Sequence, residues 1–357
     1  MKQLSKSSSR VKEKVYIEDM QINLIDDGAH YIANKFYSYN CFLGLIDGGR
    51  GIGKTTTFLW QGLRESKKGN QFIYLRRYKT EIKEFVNKDS MAPLVDGINY
   101  QGDGGGGYTM KWNNITLGYC ISLSTARAYK SVDFSKVTLL VFDEGFVKNT
   151  PSYRYLKDEV TVFLEFVSTV VRTRKNVRVV ILGNNEDMFS PYHSFWNIPM
   201  FKGIYVDKEH GIYCEHAKNS AKLLAKEKET GLYSLIKDTS YGAYHYDNEV
   251  LGTEDVNIIE KPKDAKLSFR VIINGHTCSC YTYWDKKELL MYCDHKDKII
   301  QEGNAYIITN NGNINYLNVE LFRHKIKKWL YFFYFNNKVS YNDSQGGAIL
   351  AWIVENV

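Results

Sequence analysis

Residues 48–55 read Gly48-Gly49-Arg50-Gly51-Ile52-Gly53-Lys54-Thr55. This is a complete G-x-x-x-x-G-K-[ST] phosphate loop. A turn this rich in glycine can aim successive backbone N–H groups at phosphate oxygens, because no Cβ blocks the approach. Lys54 then reaches the β- and γ-phosphates, and Thr55 offers a hydroxyl to Mg²⁺. With Thr56, these residues form the expected nucleotide-contacting set, and the predicted ligand is ATP with Mg²⁺. Farther along, the apolar run 138–142 ends in Asp143-Glu144. An open α/β sheet delivers ligand groups at the carboxyl ends of its strands. Asp143 is therefore expected opposite Thr55 as a Mg²⁺ ligand, and Glu144 is expected to orient and polarise the water that attacks the γ-phosphate. The glutamate points to hydrolysis rather than transfer to a small acceptor.

Asn184 follows the strand-like run 179–182 and can sense the γ-phosphate or the attacking water. An ordinary strand-end turn is the plainer alternative. Arg172, Arg174, Lys175 and Arg178 cluster where an amphipathic helix ends. Cations there complement the helix dipole, or one of them is a finger reaching a neighbouring subunit's γ-phosphate. Arg76-Arg77-Tyr78-Lys79 is a second basic cluster, and Lys130 is a third candidate. The residues alone leave open which of these act in trans and which meet another partner.

The surrounding elements suit the chemistry. Strand-like runs at 41–46, 72–75, 137–142 and 177–182 alternate with helical stretches starting at Lys54, at 80–87 and across 156–171. Leu156, Val160, Phe163, Leu164, Val167 and Val171 make one apolar stripe at helical spacing. Buried β-branched strands separated by helices predict a parallel sheet covered on both faces. Residues 102–107, nearly all glycine, read as a flexible tip, followed by a hairpin turning at Asn113-Asn114. The character shifts near residue 205. A charged helical stretch at 217–230 precedes a polar segment at 238–252. From 267 an antiparallel meander runs through 267–274, 276–284, 288–294 and 305–309, followed by a basic aromatic helix around 319–335. The expected division is a basic tail at 1–14, an ATPase domain at 15–205, a helical linker at 206–255 and a small α+β domain at 256–357.

Across 357 residues, 44% are hydrophobic and 14% aromatic, enough for packed cores, and no run approaches a membrane span. A membrane partner is not expected. The net charge of +7 is compatible with a polyanionic partner without proving one. The six cysteines lack zinc-knuckle spacing. Cys278-Ser279-Cys280 places two thiols on one side of a strand, and buried free cysteines are the favoured reading over a metal pair.

Together these residues resemble the double-stranded DNA packaging ATPases of small, protein-primed tailed phages. The echoes are the phosphate loop, Gln71-Phe72-Ile73-Tyr74-Leu75-Arg76-Arg77-Tyr78-Lys79, Val141-Phe142-Asp143-Glu144 and Pro191-Tyr192. The resemblance implies a RecA-like P-loop ATPase domain of the additional-strand, catalytic-glutamate class, then a linker and an RNase H-like domain. It casts Arg172 as the trans-acting finger, Lys130 as a second trans-acting residue, and Arg50 as a coupling residue between subunits. It also implies a homo-oligomeric ring of five at the capsid portal (the connector), moving duplex DNA in the host cytoplasm. A structural RNA stands as a further candidate partner. Residues 267–274 carry no acid, and Asp285 and Asp294 sit near turns, so the second domain is expected to dock or bind without cutting. Its Arg323, Lys325, Lys327 and Lys328 are candidates for contacting DNA phosphates or the portal, or make a solvated face. The alternatives are a large-terminase-type protein with a live nuclease, and another ring translocase or helicase of the same class.

Overall fold

The computed structural model describes residues 17–23, 28–147, 153–184, 190–196, 198, 201, 203–238, 258–273, 275–296, 298–310, 313–336 and 338–357. The expected basic tail lies outside these residues. After a short helix α1 (Asn34–Ser38), the first domain alternates β1 (Leu43–Gly48), α2 (Lys54–Lys67), β2 (Gln71–Arg76) and α3 (Lys79–Asn87). Next come β3 (Ile98–Gly102), β4 (Tyr108–Trp112), β5 (Ile115–Ser122), a 3₁₀ turn (Leu123–Tyr129), β6 (Val137–Phe146), α4 (Glu159–Val171), β7 (Arg178–Gly183) and α5 (Pro191–Phe195). The pair β8 (Ile204–Asp207) and β9 (Ile212–Ala217) completes a nine-stranded sheet of order β3-β4-β5-β2-β6-β7-β1-β9-β8.

The six strands from β5 to β9 in that order are mutually parallel, and the hairpin partners β3, β4 and β8 lie outside them. The central strands read as continuous apolar runs because both faces are covered. One face packs Phe58, Leu63, Ile82 and Phe85 of α2 and α3. The other packs Val160, Phe163, Val167 and Tyr192 of α4 and α5. Strand β7 lies between the phosphate-loop strand β1 and the acidic strand β6.

Two details differ from the sequence reading. The first sheet runs on to Ala217, so the division expected at 205 falls inside β8; β9 joins the sheet beside β1, a long-range pairing that the local character of the chain does not carry. The glycine-rich 102–107 stretch is a turn organised by Asp103, whose Oδ1 accepts from the N–H groups of Gly105 (2.9 Å) and Gly107 (3.0 Å). The hairpin at Asn113-Asn114 has both residues at positive φ, 46° and 65°, the form that matches strand twist.

Helices α6 (Ala221–Lys228) and α7 (Gly231–Ile236) leave the first sheet. The second domain contains β10 (Lys266–Ile273), β11 (His276–Asp285), β12 (Glu288–Lys296), β13 (Ala305–Asn310), β14 (Asn313–Ile314) and β15 (Val339–Tyr341), in the order β14-β13-β10-β11-β12-β15. The meander β10-β11-β12 is antiparallel, while β13 runs parallel to β10 and β15 parallel to β12. The helix expected over 319–335 is two, α8 (Tyr316–Lys325) and α9 (Lys327–Phe335), and α10 (Ser344–Asn356) follows β15. Phe322, Leu330, Phe333, Ile349 and Leu350 from these helices share one core with the sheet. Among the described residues, no helix is long and apolar enough to cross a membrane.

Candidate nucleotide-hydrolysis site

The phosphate loop needs its glycines. Gly48, Gly51 and Gly53 have φ of 146°, 76° and 92°, where a Cβ is strained. At Gly48 an added Cβ would also lie 2.2 Å from the carbonyl oxygen of Ala217. Lys54 opens α2 almost fully buried, and its Nζ donates to the carbonyls of Gly48 (2.9 Å) and Gly49 (2.7 Å). Burial lowers this ammonium to about 8, while Asp47 and Asp143 favour its charged form. The loop thus holds a partly desolvated cation at the helix start, ready to exchange two carbonyls for phosphate oxygens.

A cleft of about 410 Å³ opens over the loop, lined by Arg50 through Thr56 and by Asp143, Glu144, Gly183 and Asn184. Thr55 and Asp143 meet directly, the hydroxyl donating to Oδ1 at 2.9 Å. Two hard oxygen donors side by side suit Mg²⁺, which binds through few protein oxygens and keeps its waters.

The acidic pair owes its position to a bulge. Strands β6 and β7 stay in register to Phe142↔Ile181, but the next partners are Phe146↔Gly183, so β6 carries extra residues over the site. Bulges re-aim side chains near active sites. Glu144 takes φ 52°, a left-handed conformation that a glutamate adopts only when its surroundings enforce it. Gly145 follows, where a Cβ would lie 2.2 Å from Ile181.

Two arginines enforce the bulge. Arg76, at the end of β2, donates to Asp143 Oδ2 (3.1 Å), Glu144 Oε2 (2.7 Å) and Glu81 Oε1 (2.9 Å). Tyr74, two residues earlier on the same face, donates to Asp143 Oδ2 at 2.8 Å. Burial raises the Glu144 carboxyl above its ordinary value; Arg76 opposes the rise and Asp143 adds to it. Arg77 points to the other face and is 0% exposed. It donates to the carbonyls of Glu144 (3.0 Å) and Gly145 (2.9 Å), which the bulge takes out of the ladder. Glu159 at the start of α4 clamps it in a two-point ion pair, with Nε–Oε2 2.7 Å and Nη2–Oε1 2.9 Å. Tyr192 donates to the same carboxylate at 2.8 Å.

Of the residues expected to act at the site, the structure brings together Lys54, Thr55, Asp143, Glu144, Arg50 and Asn184 around one cleft. Lys130 and Arg172 line no part of it. Arg172 is exposed at the C-terminal end of α4. Arg174, two residues on, donates to Val137 O at the opposite end of β6 from Asp143. Val137 and Asp143 are six residues apart on β6, about 20 Å of strand, so this helix end lies toward the opposite edge of the sheet from the cleft. The basic cluster at the helix end is therefore divided: Arg174 binds backbone carbonyls, Arg178 donates to Asn40 Oδ1, and Arg172 faces solvent. Arg76 and Arg77, read as candidates for DNA or a neighbour, are spent inside their own chain. Sequence missed that role because it does not reveal that β2 lies beside β6. In the second domain, Arg323 (2.5 Å) and Lys327 (3.1 Å) donate to the Val357 carbonyl, leaving Lys325 and Lys328 from the expected basic face.

Comparison with known proteins gives concordant results. The model of the podovirus DNA encapsidation protein (Gp16) family matches residues 25–343. A DNA packaging protein of Bacillus phage phi29 is 30% identical over 282 residues, covering 76% of this chain and 80% of its own. The structure of the bacteriophage Phi-29 viral genome packaging motor assembly aligns with TM-score 0.56 and 26% identity, covering 88% of this chain and 95% of that one. The Phi-28 gp11 DNA packaging motor shares the fold at TM-score 0.55 and 17% identity, covering 92% and 98%.

Proposed function

The chain belongs to the podovirus DNA encapsidation family and is a phage DNA-packaging motor protein, and we propose that it hydrolyses ATP to drive duplex DNA into a preformed capsid. The observation that carries the enzymatic part is the cleft that unites the phosphate loop, Thr55–Asp143 and the bulged Glu144. The interposed β7 supports the additional-strand, catalytic-glutamate class.

In this reading the loop N–H groups and Lys54 bind the triphosphate, and Arg50 and Asn184 flank its terminal phosphate. Thr55 and Asp143 would hold Mg²⁺, which supplies charge neutralisation between phosphate oxygens when bound. Glu144, fixed by Arg76 and by its strained backbone, orients the attacking water and takes its proton. Because Arg172 stands far from its own cleft, the finger role is one it plays on a neighbouring subunit. Lys130 is assigned the same kind of role. A closed ring, of five subunits by family resemblance, sets each Arg172 against the next cleft, with the portal and DNA on its axis. Grip falls on backbone phosphates, since a translocase must tolerate any sequence. The ring works in the host cytoplasm, docked at the portal, and a structural RNA is a further candidate partner there.

The second domain is read as an RNase H-like module that docks without cutting. Its support is the antiparallel meander flanked by the parallel strand β13, an acid-free β10, and Asp294 paired with Lys296 at 3.2 Å. Among the described residues, no three carboxylates converge there.

ATPase measurements with and without duplex DNA and portal test the reading. Turnover is expected to rise when both are present. Hydrolysis indifferent to both would argue against a packaging motor. In mixed rings, Arg172→Ala subunits should silence neighbouring wild-type sites; if those sites keep full activity, the trans assignment is wrong.

A further inference from the structure

Three sulfurs converge in the second domain, where the packaging chemistry has no use for them. Cys278 and Cys280 are two apart on β11, so their side chains share one face of the sheet. Cys293 on β12 stands directly opposite Cys280. The three Sγ atoms lie within 4.8 Å of one another, with Cys280 and Cys293 3.3 Å apart, and all three residues are 0% exposed. Thiolates bound tetrahedrally at about 2.3 Å from a zinc ion lie about 3.8 Å from each other. The cluster therefore needs only small side-chain rotations to surround an ion.

A fourth donor sits in the same patch. His295 is the residue opposite Cys278, so it shares their face, and it is 4% exposed. Its Nδ1 lies 3.5 Å from Asp343 Oδ2, and its Nε2 contacts His276 Nδ1 at 3.2 Å. A histidine that ligates through one nitrogen commonly gives the other to a carboxylate, which fixes its tautomer. Asn342 Oδ1 accepts from the His295 N–H at 2.8 Å and steadies the backbone beneath it. Buried cysteines are ordinary core residues when scattered. Here three sulfurs converge on one point, and His295, outside that group of mutually close donors, stands beside them on the same face with a carboxylate 3.5 Å from its Nδ1.

We infer that Cys278, Cys280 and Cys293, with His295 in the fourth position through Nε2, form a Cys₃His site for a thiophilic divalent cation of the Zn²⁺ class. The donors are sulfur and imidazole with no hard oxygen, which disfavours Mg²⁺ and Ca²⁺. Three thiolates and a divalent ion leave one net negative charge in the core, where three bare thiolates could not be buried. Binding exchanges the ion for the three thiol protons, which pass to solvent. The His295 ring must leave His276 to complete the shell. The ion would tie β11 to β12 at mid-sheet.

The full-length protein, reduced and stripped with chelator, is titrated with Co²⁺ and then Zn²⁺. One equivalent of Co²⁺ should give a thiolate-to-metal charge-transfer band and tetrahedral d–d absorption, both abolished by Zn²⁺. Elemental analysis of protein loaded with Zn²⁺ should find one ion per chain. Cys280→Ala and Cys293→Ala should reduce that to background while ATP binding persists, and His295→Ala should keep the charge-transfer band but weaken Zn²⁺ about tenfold or more. Absence of the band in reduced wild-type protein overturns the site, and that titration requires no variant to fold. Full metal content in the cysteine variants, or a Cys280–Cys293 disulfide in place of bound metal under reductant, overturns it equally.

Discussion

Every buried Asp, Glu, Lys and Arg among the described residues belongs to the first sheet and its helices: Asp47, Lys54, Arg77, Asp143, Glu159 and Glu215. The second domain buries polar groups too, but they are His276, Thr277, Ser279, His295 and Ser340, along with three cysteines. Formal charge is costly to remove from water unless it is paired and hydrogen-bonded. A fold that concentrates it in one place does so because a task there needs it. In the first domain the pairs converge on a strand bulge and a phosphate loop. In the second, the buried polar side chains among the described residues are imidazoles, hydroxyls and thiols, with no carboxylate, ammonium or guanidinium.

The contrast can be broken most directly at Glu144. Glu144→Gln should lower kcat by about 10²–10⁴-fold while ATP still binds, the span usual for loss of a positioned base. Steady-state turnover beside a nucleotide-binding titration checks it, and substantial residual turnover would move the base elsewhere. Next in size is Arg77. Arg77→Met leaves Glu159 buried without its cation and strips two bulge carbonyls, so denaturant unfolding should show a loss of about 3–5 kcal/mol. Adding Glu159→Gln should recover part of it; no recovery would mean that the ion pair is not the source.

A third probe uses pH. Lys54 is held at about 8 in the folded chain, against an ordinary 10.5. Between those values the unfolded chain binds more protons, so this group's contribution to stability grows as pH rises. Nucleotide affinity should move the other way, because phosphate needs the ammonium. A fall of up to about tenfold from pH 7 to 9 is expected in fluorescent-nucleotide titrations. The smallest effect belongs to the second domain. Asp285→Asn with Asp294→Asn should shift stability by no more than about 0.5 kcal/mol per site. Plasmid incubated with Mn²⁺ should remain intact with or without the substitutions; cutting that disappears in the variants would revive the nuclease reading.

Local signals made much of the first domain legible. The phosphate loop, the acidic strand end and the stripe of α4 each carry their pattern within a few residues, and β1, β6, β7 and α4 form where those patterns lie. What sequence withheld was adjacency. Arg76 and Arg77 read as a surface cluster because nothing local reveals that β2 neighbours β6, or that Glu159 waits on the far face. The linker expected from residue 206 covers β9, a buried strand, because its pairing with the distant β1 is a long-range adjacency that no local pattern reveals. Cys293 stayed unlinked to the Cys278-Ser279-Cys280 run until the antiparallel register set it opposite Cys280.

Gly48 carries one more consequence. A Cβ there would strike the last carbonyl of β9, so the base of the phosphate loop rests on Ala217 with no space between them. Four residues later the chain enters α6 and leaves for the second domain. His216, just before, is tied to Asp47 at 2.6 Å, and Ser220, just after, donates to the Ala29 carbonyl at 2.5 Å. The exit of the first domain is thus bolted to the floor of its own nucleotide cleft. Any side chain at position 48 would therefore have to displace the backbone at that exit as well as the loop itself.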